Sequence, residues 1–328
     1  MATPVLVSLA GALASLQAQK LPVSRFSVEG VADLASRCSG GGGAILSIPC
    51  RELSLAVMAV HRGVGLASAL GSDIPGSAST MGRRLGSTPR IGVSVSAAGL
   101  RLAMPRIATT SPADLAEKEG YTLAGFRGSV AAGVFDGFRL GVGVGGVLSV
   151  DLIGSYSLMR LPEGAGFEKM SSGVGLGARV GLIRESFVVP GLSISGVRRW
   201  HGDIKAGDVG AGHPGELVTD LTVSSLRATL GKNWFVLGLM GGVGWDRYEG
   251  DARLTVSRGS GDPGTIDGLV TSERLVYFVG GWFNFLVSQL SLEIGVAEGA
   301  TDPFADRRAA YDPALASWFA AAAFRITL

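Results

Sequence analysis

Beyond about residue 90, apolar and polar residues alternate along the chain with a period of two. Between 139 and 155, Leu140, Val142, Val144, Leu148, Val150 and Leu152 take even positions, while Arg139, Gly141, Gly143, Gly145, Ser149 and Asp151 take odd ones. This spacing places the aliphatic side chains on one face of a strand. The same period runs through 121–135, 173–184, 272–285, 289–297 and 317–328. Within 91–104 the phase slips near Ala97 to Gly99, as at a glycine-assisted bulge, and within 218–230 it slips near Ser225. Tight turns are predicted at Asp136-Gly137, Glu185 to Gly191, Gly231 to Asn233 and Leu286 to Gln289. Long polar connections are predicted over about 105–120, 159–172, 201–217, 248–271 and 298–316.

Short turns on one rim and long loops on the other are the asymmetry of a closed antiparallel barrel in a membrane. Composition sharpens the picture, because 51 glycines disfavour long helices and a mean hydropathy of +0.37 lies in the membrane range. Apart from the N-terminus, no run reaches the roughly 18 apolar residues of a transmembrane helix. A strand that faces lipid on one side satisfies both facts. The fold class is therefore all-β, a transmembrane antiparallel β-barrel spanning 51–328. Counting back from residue 328 gives ten strands, and 51–60 with 63–71 supply a further pair. Twelve strands is the expectation, with ten and fourteen open.

Residues 1–19 carry no side-chain charge and read as a secretory signal peptide. Residues 20–50 form a periplasmic or lumen-plugging segment, in which 26–37 has the spacing of a short amphipathic helix. In an oxidising compartment Cys38 and Cys50 are expected to pair around Gly40 to Gly43.

The alternation of Trp318, Ala320, Ala322, Phe324, Ile326 and Leu328 resembles the terminal recognition strand of bacterial outer-membrane proteins, which usually ends in Phe. Together with the signal segment and the Gly-rich barrel, it gives a likeness to outer-membrane transport barrels, loosely to the long-chain fatty-acid transporter family. That resemblance implies a bacterial outer-membrane location, outer-membrane lipids as surroundings and the barrel-assembly machinery as partner during biogenesis. It carries no ligand motif onto this chain, and that family has more strands and a longer chain.

If each apolar face meets lipid, Arg101, Arg127, Arg139, Arg179, Arg227, Arg274 and Arg325 point inward, with Asp151 and Glu293. Such a lumen is net positive and would attract small anions. The alternative is that these arginines pair with lumen carboxylates, loop acids or a plug and pack the interior. Two functions follow: passive passage of small solutes, anionic or hydrophobic, or a closed barrel acting as envelope anchor, adhesin or subunit of a larger complex. The solute and the oligomeric state are open. His61 reads as a turn residue between the first strands, and His201 and His213 as solvated loop residues without a metal-ligand spacing. Nothing points to an enzyme, a cofactor, a metal or a nucleic-acid partner, since the charges, net +2, form no basic cluster.

Overall fold

The computed structural model describes residues 28–40, 44–69, 71–83, 88–139, 145–168, 170–258, 261–304 and 311–328. A two-residue strand, β1 (Val28–Glu29), leads into helices α1 (Val31–Ser39) and α2 (Ala44–Ala69). Ten strands then follow in up-and-down order. They are β2 (Ile91–Pro105), β3 (Lys118–Phe135), β4 (Ser149–Arg160), β5 (Met170–Ile183) and β6 (Gly191–Gly207), then β7 (Gly215–Trp234), β8 (Leu237–Arg258), β9 (Gly261–Phe285), β10 (Ser288–Ala297) and β11 (Ser317–Thr327). Each pairs with the next, and β11 returns to β2, with Phe319 opposite Leu100 and Thr327 opposite Gly92, closing the ring. β1 lies on the free edge of β9 above the end of β10, with Val28 opposite Ser272.

Around the outside runs a belt of exposed aliphatics, among them Val93 and Val95 on β2, Leu176 on β5, Leu239 on β8 and Leu292 on β10. A belt of this kind is incompatible with water and is the lipid face of a transmembrane barrel. Towards the long loops the outer face turns polar. On the tall β8–β9 hairpin Arg247 pairs with Glu249 at 3.1 Å and Arg253 with Asp267 at 2.7 Å.

The inner face changes in the opposite sense. On β2 the inward row reads Ser94, Ser96, Ala98, Leu100, Leu102, Met104, and on β7 it reads Leu217, Thr219, Leu221, Val223, Ser225, Arg227, Thr229. Pairing is unbroken from Ile91 opposite Ala132 to Pro105 opposite Lys118, and β7 keeps one register against β8 on both sides of Ser225. The two expected phase slips are therefore not bulges. They mark the level at which lipid outside gives way to water and polar filling inside gives way to apolar filling. True irregularities lie elsewhere, at Gly133/Phe135, Gly181/Ile183, His201/Ile204 and Val256/Arg258.

Several other expectations change. Residues 51–71 form no hairpin, because α2 runs from Ala44 to Ala69, so the ring has ten strands and the segment boundary at 51 falls inside a helix. Most of 201–217 and 248–271 is strand whose outer face, above the lipid, has the composition of a loop. The Cys38–Cys50 disulfide is formed and ties α1 to α2. The signal segment 1–19 and the aliphatics Leu140, Val142 and Val144 lie outside the described residues.

Candidate functional site

The lumen is the candidate site, and it is filled. Helix α2 enters at the long-loop rim, where Leu53 meets Gly215, and descends past Thr219, whose Oγ1 lies 2.7 Å from Nε2 of His61. Leu53, Leu55, Met58 and Leu66 are wholly buried and pack into one cluster with Leu100, Leu102, Met104, Leu217 and Val223 of the strands. From Glu52 to Ala69 the helix is buried all round, so its apolar residues are not confined to the one stripe that identifies surface helices. Close approach requires Gly65, since a Cβ there would stand 2.2 Å from the ring of Tyr248. His61 is thus a buried helix residue, not a turn residue, and His201 points inward from β6 instead of lying in a loop. His213 does lie between β6 and β7, and its Nδ1 accepts from the Asp208 N–H at 3.0 Å.

Below Tyr248 the lumen becomes polar, and here the inward arginines act on the helix end. The last carbonyls of a helix have no partners within it and carry partial negative charge. Arg227 donates to the Ala69 carbonyl at 3.2 Å and Arg127 to the Ser68 carbonyl at 3.5 Å. About two turns higher, away from the helix end, Arg274 donates to the Arg62 carbonyl at 2.5 Å and to the Tyr248 hydroxyl at 3.0 Å. Arg227 also pairs with Asp246 at 2.7 Å, both groups being fully buried.

The segment from Gly71 to Arg83 fills the rest of the bore. Asp73 pairs with Arg199 and accepts from Ser195, each at 2.5 Å. Ser72 donates to Glu293 through its N–H and its hydroxyl, at 2.7 and 2.6 Å. Arg127 reaches the Ser72 carbonyl at 3.1 Å, and Gln289 donates to the Gly76 carbonyl at 2.7 Å. Arg179 bridges Asp151, at 2.8 Å, and the Ser77 carbonyl, at 2.9 Å, while Asp151 accepts from the Met81 N–H. Gly71 is forced, because its φ of +64° is left-handed and a Cβ would strike the Glu293 carboxylate.

Seven of the nine residues expected in the lumen are there: Arg127, Asp151, Arg179, Arg227, Arg274, Glu293 and Arg325. Arg101 is outside, because the inward row of β2 stays on even positions throughout. Arg139 is also outside, exposed in the β3–β4 turn, since β4 begins only at Ser149. The sequence reading missed Arg199 and Asp246, although each follows the inward phase of its strand, with Ser195 and Val197 or Gly244 and Tyr248. Asp73 lies in irregular chain, where no periodicity could mark it.

No protein-family model matches this chain, and no curated protein matches its sequence. Among solved structures, it is similar to the translocator domain of the autotransporter NalP from Neisseria meningitidis, at 14% identity over 85% of this chain and 99% of that one, with a TM-score of 0.43. The transport unit of the autotransporter AIDA-I from Escherichia coli matches at 8% identity over 83% and 98%, with a TM-score of 0.40. The toluene transporter TodX from Pseudomonas putida matches at 7% identity over 78% and 96%, with a TM-score of 0.31. At these TM-scores none of the three assigns a function to this chain.

Proposed function

We propose that the protein is a closed outer-membrane anchor whose lumen helix holds the chain preceding Val28 at the outer, long-loop side. One observation carries this reading: α2 and the segment after it occupy the bore, with the helix start and β1 at the long-loop rim. Passive solute flow would require about 40 residues of buried, hydrogen-bonded filling to leave, against an apolar core worth roughly 25 cal/mol for each Å² removed from water. Arg199, Arg227 and Arg274 favour the same reading, since each spends donors on helix carbonyls or on a buried carboxylate.

Planar-bilayer recording on the folded, heat-modifiable protein tests it. The expected trace is silent, while a protease added outside intact cells removes an epitope placed just before Val28. Steady, discrete current steps from the intact chain would overturn the anchor and restore the pore.

A further inference from the structure

The short-turn rim carries a second feature, at the mouth of the filled bore where the Gly71–Arg83 segment ends. Its turn tips are large and apolar: Phe187, Val188, Phe235 and Leu286 are almost wholly exposed. Two of them, Phe235 and Leu286, have φ of 58° and 53°, and Leu148, which leads into β4 on the same rim, has 61°. Left-handed backbone suits Gly or Asn, and in other residues costs about 1 kcal/mol or more. These three are the only non-glycine residues with positive φ among those described, and all sit on this rim. Strained positions filled with exposed hydrocarbon fit turns that rest at the acyl–headgroup boundary and not in bulk water.

Between the β3–β4 and β5–β6 turns a cleft of about 520 Å³ is lined by Arg83, Arg90, Arg139 and Arg184, with Asp136 and Glu185. Both carboxylates are already engaged. Asp136 accepts from the Arg83 N–H at 2.7 Å and pairs with Arg184 at 3.2 Å, and Glu185 accepts from the Asn233 N–H and stands near Lys232. No ion pair among the described residues engages Arg90 or Arg139, and Nε of Arg184 is buried without an acceptor. Phe138, exposed in the same turn as Arg139, and Phe187, which follows the lining residue Ser186 and stands 6.2 Å from the ring of Phe235, add apolar surface to this rim.

We propose that this cleft binds the phosphate of an anionic phospholipid from the adjacent leaflet, with Arg90, Arg139 and Arg184 as donors and Phe138 and Phe187 against the acyl chains. Guanidinium forks match phosphate oxygens in charge and shape, and a phosphodiester is the anion present at this depth. The assignment is independent of whether the lumen conducts.

The test is native mass spectrometry of the refolded full chain, titrated with phosphatidylglycerol, phosphatidylcholine or inorganic phosphate. Phosphatidylglycerol is expected to bind stoichiometrically and phosphatidylcholine more weakly. The Arg90→Gln/Arg139→Gln double variant should weaken phosphatidylglycerol binding about tenfold, while Arg101→Gln, on the opposite rim, should leave it unchanged. On the wild-type chain, phosphatidylglycerol should shield Arg90 and Arg139 from phenylglyoxal, a readout that needs no variant to fold. Equal affinity in the double variant, or no shielding, would overturn the site. Shielding by inorganic phosphate alone, at the same occupancy, would overturn the lipid as its occupant.

Discussion

Arg227 shows how the charged lumen residues divide their work. Beside the Leu226 and Trp245 carbonyls of the wall, its guanidinium serves the buried Ala69 carbonyl at the end of α2 and the buried Asp246 carboxylate on the neighbouring strand. Removing one member of such a pair leaves a charge without a counterpart and costs about 3 kcal/mol or more, whereas removing both is far milder. Arg227→Met is therefore expected to lower the unfolding midpoint strongly, and Arg227→Met with Asp246→Leu to recover most of the loss, measured by heat-modifiable mobility in a urea series. At the rim, the Arg83 N–H, followed by the Arg184 contacts, holds the Asp136 carboxyl below its ordinary range. A depressed folded pKa contributes stability that is complete above the unfolded carboxylate value, about 4, and is lost as pH falls through the folded one. The unfolding midpoint should therefore drop between pH 5 and the acid limit, and Asp136→Asn should flatten that part of the curve. An unchanged acid limb in the variant would show that other carboxylates carry it.

Among the elements, strands bathed by lipid were legible and strands above lipid were not. Residues 173–183 and 289–297 alternate in one sense and lie in β5 and β10. Rules that assign the apolar face to the outside fail where β2 and β7 rise out of the membrane, because the helix inside supplies the apolar surroundings and water outside the polar ones. Arg101 was misplaced for this reason, and 248–271 read as a loop although Arg253 and Asp267 face each other across a regular ladder. Helix α2 escaped detection because from Glu52 onward it is buried on all sides and carries Gly63 and Gly65 to clear Leu102 and Tyr248. What could be read was the covalent tie, since Cys38 and Cys50 are both buried and joined. Closing a loop over a separation of 12 residues contributes on the order of 3 kcal/mol. Reduction is accordingly expected to lower the urea midpoint of the folded chain, read by heat-modifiable mobility; an identical midpoint would show that packing alone holds the helix pair.

Taken as a whole molecule, the ring and its filling are one cooperative body, because the apolar cluster contains residues from both α2 and the strands and the arginines bond across the same boundary. Deleting the filling is thus not a route to an open pore, and the bilayer recording has to be made on the intact chain. Its silence would say that the lumen contents are part of the fold. The disulfide has a mechanical meaning in this arrangement. A pull on the chain at Val28 enters through β1 and α1, crosses the sulfur bridge at Cys38, and reaches the lumen helix at Cys50, so the stretch between the two cysteines carries no load. The force then runs along the helix axis to the clamp at Ser68 and Ala69 and spreads through Arg127 and Arg227 into the strand walls. Cutting the bridge would return that tension to the stretch of chain between Cys38 and Cys50, lengthening the path of the load.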